Sequence, residues 1–142
     1  MDPSSLGKVS QILESLDADG RKRFLALAKK RHVGAGAAVF REGDQGDEFF
    51  VLARGKVRVS ATDLDAGEKE VAVLTHGSFF GEIALLGGHT RSATVTALEE
   101  TELVAFQGPA VHALLKSYPA ALEALSRVGL LRAEQTMEKL SS

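Results

Sequence analysis

No cysteine occurs in the 142 residues of this chain, which removes disulfides and thiolate metal sites from consideration. The cytoplasm is therefore the expected compartment. An excess of one charge is also missing: 17 lysines and arginines stand against 19 aspartates and glutamates, and the net charge of −2 gives no overall attraction to DNA, RNA or anionic lipid. A small ligand or a protein partner is the expected counterpart. The opening MDPSSLGKVSQILESL carries acids and polar residues where a secretory signal would place a basic region and an apolar run. Nowhere does an uncharged apolar stretch approach the roughly 18 residues of a spanning helix. The length suits one domain with its own core.

Three zones follow one another. Residues 1–32 read as helix, because Leu6, Val9, Ile12, Leu13 and Leu16 recur at spacings of three and four. Phe24, Leu25, Leu27 and Ala28 then resume the pattern after a turn at Asp17-Ala18-Asp19-Gly20. From Val33 to Gln107 the period becomes two and glycine becomes frequent. The runs AAVFRE, EFFVLARG, KVRVSAT, KEVAVLT, SATVTALE and ELVAFQ predict short strands, with hairpins at Arg54-Gly55 and at Asp65-Ala66-Gly67. So many short strands predict a small antiparallel barrel or jelly roll. Helix returns over 109–140, in a segment opened by Pro109 and a longer one opened by Pro119.

One stretch breaks the β pattern: FGEIALLGGHTRSATVTA, in which Phe80-Gly81-Glu82 leads into a few apolar residues, then Gly87-Gly88, then Arg91. Glu82 to Leu86 is long enough for about one helical turn, whose N-terminus presents unpaired N–H groups to an anion. Arg91 is the matching cation, since a planar guanidinium donates two parallel hydrogen bonds to a phosphate. Glu82 does not suit a phosphate. It suits a sugar hydroxyl, so the acid and the arginine together fit a ligand with both ribose and phosphate.

This stretch, with VFREGDQGDEFFVLARGKVRV upstream, resembles the phosphate-binding cassette and strand–turn region of the cyclic nucleotide-binding domain family, found in protein kinase A regulatory subunits, catabolite activator proteins and cyclic nucleotide-gated channels. The resemblance implies a mainly β fold with flanking helices: an antiparallel β-roll (a jelly-roll-like barrel) over 33–107, N-terminal helices over 1–32 and C-terminal hinge and lid helices over 109–140, all in a single domain spanning 1–142. The cassette would occupy 79–94. The ligand-binding residues it implies are Phe80, Gly81, Glu82, Ile83, Ala84, Arg91, Ser92, Ala93 and Arg132. Gly81 and the short helix would offer backbone N–H groups to the cyclic phosphate, Arg91 would pair with its exocyclic oxygens, and Glu82 would accept from the ribose 2′-hydroxyl. Ser92 and Ala93 would complete the cradle, while Leu85 and Leu86 would pack the cassette onto the roll. Arg132, with Leu131 as the competing choice, stands where the last helix would place a side chain over the purine.

The resemblance also implies the ligand and the partners: cAMP or cGMP as ligand rather than cofactor, and an effector domain or protein contacting the terminal helices, with a homodimer as a further partner. Ser92 stands where cGMP-selective members often have threonine and kinase A domains have alanine, and cAMP is favoured. Direct nucleic-acid binding by this chain is not expected. Two readings compete with the sensor: a fold that no longer binds nucleotide and serves as a dimerisation or interaction module, and a phosphodiesterase, which is disfavoured because no metal pair or activated nucleophile is visible. The histidines His32, His76, His89 and His112 are scattered, with His89 the one close enough to the cassette to tune it. Gly43, Asp44, Gly46 and Asp47 read as turn residues. Arg21, Lys22, Arg23, Lys29, Lys30 and Arg31 read as a solvated helix face. Phe49, Phe50, Phe79, Phe80 and Phe106 read as core.

Overall fold

The computed structural model describes residues 7–82 and 90–141. Two helices open the order, α1 (Ser10–Leu13) and α2 (Ala18–Ala26). The strands β1 (Lys29–Val33), β2 (Ala38–Phe40), β3 (Glu48–Arg54), β4 (Val57–Asp63), β5 (Gly67–Leu74), β6 (Phe79–Phe80), β7 (Thr94–Ala97) and β8 (Thr101–Gln107) follow, and α3 (Gly108–Leu115) and α4 (Pro119–Ser141) complete it. The strands form two antiparallel sheets, in the orders β1-β8-β3-β6 and β2-β7-β4-β5. The sheets face each other without closing into a barrel, which makes a jelly-roll-like β-roll with flanking helices.

The segment EFFVL explains the layering. A half-exposed antiparallel strand alternates apolar and polar residues, whereas one covered on both faces is continuously apolar. In β3, Phe49, Phe50, Val51 and Leu52 are all buried. Phe50 and Leu52 point between the sheets, into a cluster with Val57, Leu74, Phe80, Val95 and Leu103. Phe49 and Val51 point the other way, into a second cluster with Ile12, Phe24, Val111, Leu115 and Leu125 of the helices. Phe106 stacks on Phe24 at 4.5 Å and lies against Phe49 at 5.9 Å, which fastens the helices to this sheet.

The helical reading of residues 1–32 holds only in part. Lys29–Val33 is a strand, paired along its whole length with β8 from Lys29↔Ala105 to Val33↔Thr101. Its side chains are charged and mostly exposed, a composition that suits a sheet edge by discouraging further pairing. The basic run is thus split between α2 and β1, and Arg31 makes a bidentate contact with Glu48 at 2.7 and 2.8 Å. The supposed turn at Asp17–Gly20 is instead the start of α2: the Asp17 carboxylate accepts from the Gly20 N–H at 2.8 Å and caps the helix. Gly20 lies within the helix because the Tyr118 ring fills the space a Cβ would need, while the Tyr118 hydroxyl donates to Asp17 at 2.8 Å.

The turn at Arg54–Gly55 also differs from expectation. It closes no hairpin, since β3 pairs with β6 and β8 while β4 pairs with β5 and β7. The connection switches sheets, and the side-chain pattern of the two runs carries no information about which neighbour each strand chooses. The second hairpin is as read, with β4 and β5 paired from Val57↔Leu74 to Asp63↔Gly67.

Gly55 sits at φ 102°, and a Cβ there would lie 2.8 Å from the Glu100 carbonyl oxygen and 2.9 Å from the Thr101 Cα. Gly36, at φ 83°, has open space around it. Gly55→Ala is therefore expected to cost more than the roughly 1–3 kcal/mol of backbone strain alone, and Gly36→Ala to cost only that strain. Urea denaturation of the two variants checks the order, and equal losses would remove the close approach at the sheet switch as the cause.

Candidate functional site

A cavity of about 330 Å³ opens between the β2-β7-β4-β5 sheet and α4. Val59, Val71, Ala72, Leu74 and Val95 give it an apolar floor, and Gly129, Arg132, Ala133, Gln135, Thr136 and Met137 of α4 lie across it. At one end the lining turns polar, with Gly81, Glu82, Thr90, Arg91, Ser92 and Ala93. An apolar slot ending in a charged corner suits a ligand with a flat ring at one end and an anion at the other.

Arg91 forms that corner. Its backbone is clamped by the EGDQG turn: the Arg91 N–H donates to the Asp44 carbonyl and the Gly43 N–H donates to the Arg91 carbonyl, both at 2.8 Å. The Gln45 amide adds a bond to the Thr90 hydroxyl at 3.0 Å. The side chain is 8 % exposed, donates through Nη2 to the Glu48 carbonyl at 3.1 Å, and lies over the Phe40 ring at 4.2 Å. Its Nε is buried and finds no hydrogen-bond partner among the described residues. Burial pulls the guanidinium pKa below its ordinary value against the attraction of Glu48, Asp47, Asp44 and Glu82. The guanidinium is thus desolvated, and no carboxylate among the described residues lies at bonding distance from it.

Glu82 is the second charged element, also buried, at 6 % exposure. Its Oε2 lies 3.0 Å from Nη1 of Arg132, which reaches down from α4 and passes 5.2 Å from the Phe79 ring. The acid of the cassette and the arginine of the last helix are thus joined across the polar end of the cavity. Leu131, the neighbouring residue, packs instead against the helical cluster.

Of the residues expected in the site, Phe80, Gly81, Glu82, Arg91, Ser92, Ala93 and Arg132 all line this one cavity. Ile83 and Ala84 lie outside the described residues, as do Leu85, Leu86, Gly87, Gly88 and His89, and with them the expected helical turn beyond Glu82. Three residues around Arg91 escaped sequence reasoning. Gly46, taken for a turn residue, has no positive φ; a Cβ there would lie 2.8 Å from Arg91 Nη2 and 2.9 Å from Nε, so the residue is small to admit the guanidinium. The Glu48 contribution is a main-chain carbonyl, which no residue type announces. Phe40 reads from the sequence only as an apolar strand residue. Among the described residues, no group of three or more His, Asp or Glu is placed to hold a metal ion, and no helix is long and apolar enough to cross a membrane.

A β-roll with a desolvated arginine at one end of an apolar slot, covered by a terminal helix, defines a ligand-binding module. Comparison with known proteins places it: the family model described as "Cyclic nucleotide-binding domain" matches residues 30–118, and the chain belongs to that family. It is 35 % identical over 112 residues to the cyclic AMP receptor protein of Thermus thermophilus, a match covering 79 % of this chain and 52 % of that protein. It is 36 % identical over 121 residues to a cyclic nucleotide-gated potassium channel of Rhizobium etli, covering 85 % of this chain and 32 % of the channel. In three dimensions it superposes on the crystal structure of the Thermus thermophilus catabolite activator protein with a TM-score of 0.78 at 30 % identity, over 92 % of this chain and 62 % of that one. The chain therefore spans about half or less of the length of these two curated relatives.

Desolvation of the Arg91 guanidinium opposes its attraction to the nearby acids, the Glu48 carbonyl and the Phe40 ring, so its net contribution to folding is expected to be small. Arg91→Met, which keeps the apolar stem and removes the charge, is expected to leave stability within about 1 kcal/mol of the wild type, the relieved desolvation offsetting the lost carbonyl and ring contacts. Chemical denaturation checks this, and a large loss of stability would assign Arg91 to the scaffold instead of the site.

Proposed function

We propose that this chain binds a cyclic nucleotide as a regulatory sensor, cAMP ahead of cGMP, and passes occupancy of the cavity to the terminal helices. The carrying observation is Arg91, nine-tenths buried, with an unpartnered Nε facing no carboxylate at bonding distance among the described residues. The exocyclic oxygens of a cyclic phosphate would supply the missing acceptors in the in-plane geometry a guanidinium favours. Gly81, with Ile83 and Ala84 beyond it, would add backbone N–H groups, and Ser92 and Ala93 would close the cradle. The purine would lie along Val59, Val71, Ala72 and Leu74, which the cavity aligns behind the charged corner.

Glu82 would accept from the ribose 2′-hydroxyl while also holding Arg132. That shared acceptor supports the coupling: a ligand that changes the Glu82–Arg132 contact changes what holds α4, and it shifts the helix only by its differential affinity for the two arrangements. The partner would be an effector domain or protein, or a second copy of the chain, meeting α4, where Leu130 and Met137 remain exposed. The proposed role is binding without turnover, in the cytoplasm.

Isothermal calorimetry with cAMP and then cGMP tests the reading. Saturable binding is expected, tighter for cAMP, with recovery of intact nucleotide afterwards. Arg91→Ala should weaken it by roughly 2–5 kcal/mol, on the order of 30-fold to several thousand-fold, and Glu82→Ala by about 1.5–3 kcal/mol. Absence of binding by either nucleotide to folded, nucleotide-free protein would replace the sensor with an interaction module.

A further inference from the structure

We propose that Phe40 is a positioning residue for Arg91, holding the guanidinium by its face so that its edge stays open to an anion. This inference rests on the functional reading above for its ligand, and on the geometry alone for the pairing.

The local backbone places Phe40 where it is. Strand β2 pairs with β7 through Ala38↔Thr96 and Phe40↔Val95, so two steps along β2 answer one step along β7. That extra residue is a bulge, which breaks alternation and re-aims side chains. Consecutive residues of a regular strand point to opposite faces, yet Val39 and Phe40 both pack against the inter-sheet cluster. The bulge turns the Phe40 ring inward to line the cavity.

The ring is itself supported. Its centroid lies 6.0 Å from Phe50 and 6.0 Å from Phe80, while those two rings stack on one another at 5.3 Å. Three aromatics thus form a rigid shelf, and Arg91 lies on it, 4.2 Å above Phe40 and 5.9 Å from Phe50. Opposite constraints come from Gly46 and Gly81, where added Cβ atoms would sit 2.8 Å and 3.2 Å from the guanidinium nitrogens.

The chemistry favours this arrangement over a carboxylate partner. An acid paired with Arg91 would stabilise the buried charge but occupy the N–H groups a phosphate needs. An aromatic face attracts the cation through the ring quadrupole and uses none of the in-plane donors. Apart from the Nη2 bond to the Glu48 carbonyl, no in-plane donor of Arg91 is bonded to another described residue. Phe40 would then hold the arginine ready in the free protein and reduce the ordering that binding must impose.

The test compares Phe40→Leu, which keeps apolar bulk without a π face, with Phe40→Tyr, which restores the face. Each is titrated with cAMP and with adenosine, which lacks the phosphate. Phe40→Leu is expected to weaken cAMP roughly five- to thirty-fold, to leave adenosine unchanged, and to have no further effect in an Arg91→Ala background; Phe40→Tyr should restore cAMP binding. In the ligand-free protein, the Arg91 side-chain Nε–H resonance should be ring-current shifted in the wild type and in Phe40→Tyr, and lose that shift in Phe40→Leu. Equal losses for cAMP and adenosine would make Phe40 a wall of the cavity and overturn the proposal. An unshifted Nε–H signal in the wild type would overturn it as well. If the wild type binds no cyclic nucleotide, the sensor reading fails, and the Nε–H comparison still decides the role of Phe40.

Discussion

Strand β3 is shared by the two cores of this protein, and the placement of the site follows from that sharing. Phe50 and Leu52 belong to the packing between the sheets, and Phe49 and Val51 belong to the packing beneath the helices. The main chain of the same strand supplies the Glu48 carbonyl that accepts from Arg91. A close-packed interior transmits small displacements instead of absorbing them. The strand that carries the charged corner on one side thus packs against the helical cluster on the other.

The charges are arranged with the same economy. Arg91 is desolvated, held by one carbonyl and an aromatic shelf, and the acids of the nearby turn attract it without pairing with it among the described residues. Glu82, which is also buried, has Arg132 of α4 at 3.0 Å. The two charged residues thus differ in kind: Arg91 has no carboxylate at bonding distance among the described residues, and Glu82 lies against an arginine of the last helix.

Much of this was legible in the chain. The Phe80-Gly81-Glu82 stretch, its spacing to Arg91 and the glycine-punctuated strands carried both the fold class and the polar end of the cavity lining, but not its apolar floor. What failed did so for physical reasons. Lys29–Val33 has no apolar alternation to mark it as a strand, because its place is an edge and its side chains face water. Gly20 looked like a turn residue, because a glycine needed to make room for Tyr118 reads the same as one needed for a positive φ. Gly46 was misjudged in the same way, with Arg91 as the neighbour that requires the space.

Local sequence by itself determined the periods of the segments, the proline starts of the C-terminal helices, the Asp65–Gly67 hairpin and the residue types that suit a sugar phosphate. These depend on interactions between residues a few positions apart, which a short stretch encodes. Tertiary structure decided that β3 and β4 part company at Gly55, that a bulge turns Phe40 toward Arg91, and that Arg132 and not Leu131 faces the cavity. Each of those outcomes depends on contacts between residues distant in the chain, and a local pattern of side chains does not specify which distant surface it will meet.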